Sequence, residues 1–134
     1  MAHSILPAFC SAPEFVYRLT LQLHSLDVLA RTHIFQREQL AVKMAELEQQ
    51  GVVHAQPFFH QGKYLYLVHS MREGRRKRVY VGSDRQRVAR AESAIERGKE
   101  HRAIQQQLSL VDGLLAKLAE KLELFIENTT KEAP

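Results

Sequence analysis

Residues 63–90 read KYLYLVHSMREGRRKRVYVGSDRQRVAR, and the rest of the chain is understood from this stretch outward. Tyr64, Tyr66 and Val68 alternate with Leu65, Leu67 and His69, while Arg76, Arg78 and Tyr80 alternate with Lys77, Val79 and Val81. Period-two alternation on both sides of Gly74 predicts two strands and a tight connection. Matching the faces sets the loop length. A two-residue Glu73-Gly74 turn would oppose Tyr66 to Val81 and Leu67 to Tyr80, because a slip of one residue inverts every side chain. A three-residue loop, Arg72-Glu73-Gly74, instead pairs Leu67 with Val79, Leu65 with Val81 and Tyr66 with Tyr80. It leaves Gly74 where such loops need positive φ. The expected hairpin has an apolar face of Leu65, Leu67, Val79 and Val81 and a second face of Tyr64, Tyr66, Tyr80, Arg76 and Arg78.

The hairpin is followed by Ser83-Asp84-Arg85-Gln86, a capping box that predicts a helix start. Val88, Ala91 and Ile95 in its first turns are the natural cover for the apolar face. The helix is expected to run to about Asn128, because Ile104, Leu108, Val111, Leu115, Leu118, Leu122 and Phe125 recur with 4-3 spacing. That seam fits packing against a second helix of the same chain, or a homodimeric coiled coil. Gly98 and Gly113 each weaken a helix interior by about 1 kcal/mol relative to Ala, which makes a bend near Gly98 an expectation.

Upstream, Leu26, Ala30, His33, Arg37, Leu40, Met44 and Leu47 share the 4-3 spacing, with Gly51 as the stop, so a helix is predicted over 27–50. Val52 to Phe59 reads as a strand that Pro57 confines to a sheet edge, turning through His60-Gln61-Gly62-Lys63 into the hairpin. Tyr17 to His24 alternates strictly, which argues for a strand. A helix stays open there, since Phe15, Leu19, Leu23 and Leu26 also share a helical stripe and Ser11-Ala12-Pro13-Glu14 resembles a capping box. The expected fold class is α+β: a small antiparallel three-stranded meander carried on two long antiparallel, coiled-coil-like helices. A chain of 134 residues with 45% apolar and 25% charged residues suits a single folded domain, 1–134, with residues 1–26 as an N-terminal extension.

Charge is unevenly placed. Residues 63–90 hold nine basic side chains against two acidic ones, while the other 106 hold ten against thirteen. Such a concentration points to a polyanionic partner, and five basic residues in the seven from Arg72 to Arg78 exceed what protection of a sheet edge needs. A two-stranded ribbon fits the major groove of DNA, and tyrosines interleaved with arginines offer a stacking surface for single strands or RNA. Nucleic-acid contact is therefore expected at Tyr66, Arg72, Arg75, Arg76, Lys77, Arg78 and Tyr80, extended by Arg87 and Arg90 and by Arg97. DNA is favoured over RNA. The bland reading is that the arginines solvate an exposed edge or meet an acidic protein.

Other chemistry finds little footing. His54, His60 and His69 flank the sheet without the close spacing of a metalloprotease helix or a zinc knuckle, so no metal is expected. The lone Cys10 excludes an internal disulfide and argues against a thiolate zinc site. No phosphate-cradling glycine loop or paired-carboxylate motif is present, and no Arg/His set accompanies the tyrosines to make one a nucleophile. No catalytic residue and no cofactor is expected. The opening MAHSILPAFC has no basic n-region, and no window approaches the length of a membrane span, so the expectation is a cytoplasmic protein.

The run GKYLYLVHSMREGRRKRVYVGSDRQRVARAESAIE resembles the hairpin and helix of a widespread, uncharacterised family of short prokaryotic helix–hairpin–helix proteins found around mobile elements. The likeness spans about residues 27–125. That family usually carries a cysteine-rich knuckle where this chain has HAQPFFHQG, so a metal role is not implied here. The strand-turn-strand-helix order is also similar to the arm-site DNA-binding domains of phage-type integrases. This similarity implies a mobile-element or phage setting, with the contact role on Arg72, Arg75, Arg76, Lys77, Arg78 and Tyr80. The rival expectation is a coiled-coil adaptor that binds a protein partner, or a second copy, through the Ile104 to Phe125 seam. An exposed apolar strip on that seam would favour the rival.

Overall fold

The computed structural model describes residues 13–71 and 73–132. In chain order the elements of these residues are α1 (Glu14–Gln50), β1 (Ala55–His60), β2 (Tyr64–His69), β3 (Arg78–Gly82) and α2 (Arg85–Glu132). The fold class is α+β, with two long helices and one three-stranded antiparallel sheet of order β1-β2-β3.

Because α1 begins at Glu14, the alternating segment Tyr17 to His24 is helical, which corrects the strand expectation. An added strand would need a neighbour for its backbone groups. A helix satisfies them locally and continues the 4-3 apolar spacing that follows. The Thr20 and Thr32 hydroxyls donate to the Val16 and Val28 carbonyls at 2.9 and 2.8 Å, the local bonding open to threonine inside a helix. The helix stops where expected. Gly51, at φ 99°, donates its N–H to the Leu47 and Glu48 carbonyls, as a residue in the left-handed region does at a helix C-terminus.

The chain forms two compact units, residues 38–114 and the remainder before 38 and after 114. In the first unit β1 pairs with β2 from Ala55 opposite His69 to His60 opposite Tyr64, and Pro57 lies on an edge strand. The β1-β2 turn places Gln61 and Gly62 at φ 56° and 68°, with Lys63 N–H donating to His60 at 3.1 Å. In the β2-β3 ladder Tyr66 opposes Tyr80 and Leu67 opposes Val79, as the matched faces require. The pairing of Leu65 with Val81 is corrected: Leu65 opposes Gly82 across a bulge. Period-two patterning cannot reveal an inserted residue.

The sheet is covered by the start of α2. Leu65 is fully buried, Leu67 and Ile95 nearly so, and Val53, Ala55, Val81, Val88 and Ala91 pack around them. Val79, expected in this core, remains 36% exposed. The C-terminal part of α1 runs antiparallel to α2 within the same unit. Val53 N–H donates to Ala94 at 3.0 Å, Arg97 Nε donates to the Gly51 carbonyl at 2.7 Å, and His101 Nε2 lies 2.8 Å from Glu48 Oε1. Leu47, Ile104 and Val111 are buried along these helix segments. α2 runs unbroken through Gly98. A Cβ there would strike the Val53 carbonyl oxygen and lie 2.9 Å from its carbon, so the glycine permits a close approach of backbone to helix.

The other unit contains only helix in its described residues. Leu26, Ala30, His33, Leu115 and Leu118 are half-buried. Phe15, Leu21, Val28, Phe35, Leu124, Phe125 and Ile126 are exposed. Among the described residues no helix is long and apolar enough to cross a membrane.

Candidate nucleic-acid interface

The hairpin positions most of the expected contact residues at the surface. Tyr66 and Tyr80, opposite each other in the ladder, bring their ring centroids to 5.1 Å at a 50° tilt, an aromatic pair in the favourable range. Tyr80 is 58% exposed and Tyr66 half-buried, so this pair anchors the face and leaves an aromatic surface on it. Arg78 stands opposite Val68 and is exposed. Regular β3 starts only at Arg78, and the turn before it holds Glu73 and Gly74 at φ 54° and 75°. His69 N–H still donates to the Lys77 carbonyl at 2.9 Å, which keeps the two sides in register toward the tip.

Arg75, Arg76 and Lys77 thus project from an irregular connection and are exposed. Arg76 lines a groove whose other wall includes Ile95 and Gly98 of α2. The strict alternation that set Arg76 beside Tyr66 and Tyr80 ends with the ladder. Among the described residues no carboxylate pairs with Arg75, Arg76, Lys77 or Arg78. Arg72 lies outside the described residues.

Asp84, rather than Ser83, caps α2: its Oδ2 accepts from Arg87 N–H at 3.1 Å and its carbonyl from Val88 N–H at 2.9 Å. The helix therefore starts one residue later than the capping box implies. Arg85, Arg87 and Arg90 are exposed in its first turns, where the positive end of the helix dipole adds to their field. Arg90 Nε donates to the Gln86 carbonyl at 3.3 Å. Arg97 is half-buried, and its Nε donates to the Gly51 carbonyl at the end of α1.

Two features were not legible in advance. His101 is buried, its Nε2 against Glu48 and its Nδ1 without a partner among the described residues. The His54 ring sits 5.3 Å from it, and burial, then the charges of Arg102 and His101, hold the His54 pKa below the ordinary histidine value. Gly98 gave the one available signal, since a glycine inside an apolar helical pattern can mark a close backbone approach. Among the described residues no three His, Cys, Asp or Glu side chains converge in a way that would hold a metal ion. No family model, curated protein or solved structure matches the chain.

Proposed function

We propose that this protein binds nucleic acid without catalysis, double-stranded DNA foremost, using the β2-β3 hairpin as its contact. The observation that carries this reading is the run of exposed cations from Arg75 to Arg78, unneutralised by any described carboxylate, next to the Tyr66–Tyr80 pair. Cations paired on their own surface would do little for a phosphate backbone. Unpaired ones release the counterions of the nucleic acid on binding, which is the main source of sequence-independent affinity. Arg87 and Arg90 extend the footprint along α2. The resemblance to mobile-element and integrase arm-site proteins adds a cytoplasmic, mobile-element or phage setting to this proposal.

The test is binding to a random-sequence duplex over a salt series, for wild type and for Arg75, Arg76, Lys77 and Arg78 all changed to Ala. With about five phosphates neutralised, log K should fall against log[salt] with a slope of about −4 to −5, and the quadruple variant should flatten it. Absence of binding at low salt, or binding indifferent to the four changes, would sink the reading.

A second reading has its own observation. Phe15, Leu21, Val28 and Phe35 of α1 and Leu124, Phe125 and Ile126 of α2 are exposed, and exposed apolar side chains that form a patch mark a protein contact. This supports a protein-docking role for the helical unit, with a homodimer as the simplest form. Sedimentation equilibrium across a concentration series tests it, and a monomer at every concentration would remove the homodimer.

A further inference from the structure

The β1-β2 pair, the hairpin connection and α2 enclose a groove of about 580 Å³ in the sheet-bearing unit. Its volume lies within the range of small-ligand sites. Arg76, Lys99 and Arg102 supply three fixed positive charges to its lining, His54 and His69 supply ring nitrogens, and among the described residues no carboxylate lines it. Lys99 does pair with Glu96 at 3.2 Å, but both side chains are largely exposed and neighbours on one helix turn, a pairing easily given up. Phe58, Val68 and Met71 supply an apolar wall. Phe58 and Met71 keep 49% and 59% of their surface exposed, although an apolar side chain on a groove wall gains most when something flat and apolar covers it.

A ligand suited to this lining carries at least one phosphate and an apolar face of the size of a base. The interior of a duplex has no base face to offer, because its bases are stacked. Resting on the nucleic-acid reading above, we propose that the groove takes one unpaired nucleotide, its phosphate held by Arg76, Lys99 and Arg102 and its base laid against Phe58 and Met71. The hairpin then holds duplex while the groove holds an adjoining single-stranded end, so the preferred substrate is a junction between the two. Base contacts with aromatic and apolar side chains are tolerant of sequence, so this site reads strand state rather than base identity.

The experiment compares fluorescence anisotropy on a labelled blunt duplex and on the same duplex carrying a short oligothymidine overhang, at one salt concentration. Wild type should bind the overhang substrate about tenfold more tightly than the blunt one, the scale of one base-stacking contact. Lys99→Ala/Arg102→Ala should bring that ratio close to one. Arg102→Glu, a change on an exposed helix face, should do so even where the alanine pair affects folding, with circular dichroism confirming the helix content. A wild-type ratio of one, or a ratio unchanged in both variants, would overturn the groove assignment. Should the wild type bind neither substrate, or bind blunt duplex regardless of the hairpin cations, it is the broader nucleic-acid reading that falls.

Discussion

The two compact units are built partly from the same two helices, yet they meet water in different ways. Residues 38–114 have a sheet to cover, and its apolar side chains converge on Leu65, Leu67 and Ile95. This unit holds thirteen basic and nine acidic residues, and the rest of the chain holds six of each. The helical unit has no sheet among its described residues, carries no net charge and leaves large apolar side chains such as Phe35 and Phe125 about 60–70% exposed. One unit has an interior and a charged outside. The other has apolar surface and charges that balance. A polyanion is therefore sought on the first, and a protein surface on the second.

The largest expected effect breaks or upholds that contrast directly. Leu65→Ala, at a fully buried site, should cost about 2–5 kcal/mol in urea unfolding, whereas Phe125→Ala should cost no more than about 0.5 kcal/mol. A large cost at Phe125 would mean that the helical unit is covered in solution, and the homodimer would become the leading account of its surface.

A smaller pair of changes sharpens the view of how the sheet-bearing unit is closed. Gly98→Ala should destabilise by about 1–3 kcal/mol, because the new methyl group meets the Val53 carbonyl. Gly113→Ala, where a Cβ meets nothing within 4 Å, should stabilise by about 0.5–1 kcal/mol. Equal signs for the two glycines would show that the approach of residue 53 to α2 is not maintained.

The smallest effect concerns pH. His54 has its folded-state pKa lowered, by burial first and then by the charges of Arg102 and His101, so the unfolded chain binds its proton more readily. The stability contributed by neutral His54 is present above the ordinary value of 6.5 and is lost progressively as pH falls below it. His54→Gln should flatten the fall in melting temperature between neutral and mildly acidic pH. An NMR titration placing His54 at or above the ordinary value would remove this contribution.

The hairpin was legible because its information is local. Alternation in Tyr64 to His69 and Arg78 to Val81, a glycine at the turn and the demand that like faces meet are sufficient to set which residues pair. The same locality explains the failure at Leu65, where a bulge adds a residue without disturbing the alternation on either side. Tyr17 to His24 failed for another reason: the segment satisfies both a period of two and a period near 3.6. What surrounds it, not its own pattern, chooses between them. The charge run was legible, but the bond that ties Arg97 to the end of α1 was not, since its partner, the Gly51 carbonyl, is 46 residues away.

By itself, then, the sequence determined the helix–meander–helix order, the stop at Gly51, the β2-β3 register over Tyr66 and Leu67, and the concentration of positive charge at the hairpin. These follow from backbone hydrogen bonding and side-chain periodicity, which act over a few residues. Only the tertiary structure decided that Gly98 is a contact point, that Arg97 is bonded to the end of α1, that His101 is buried against Glu48, and that Arg76, Lys99 and Arg102 share one groove. Each of these depends on which surfaces the chain brings together across tens of residues, and no local pattern encodes that juxtaposition.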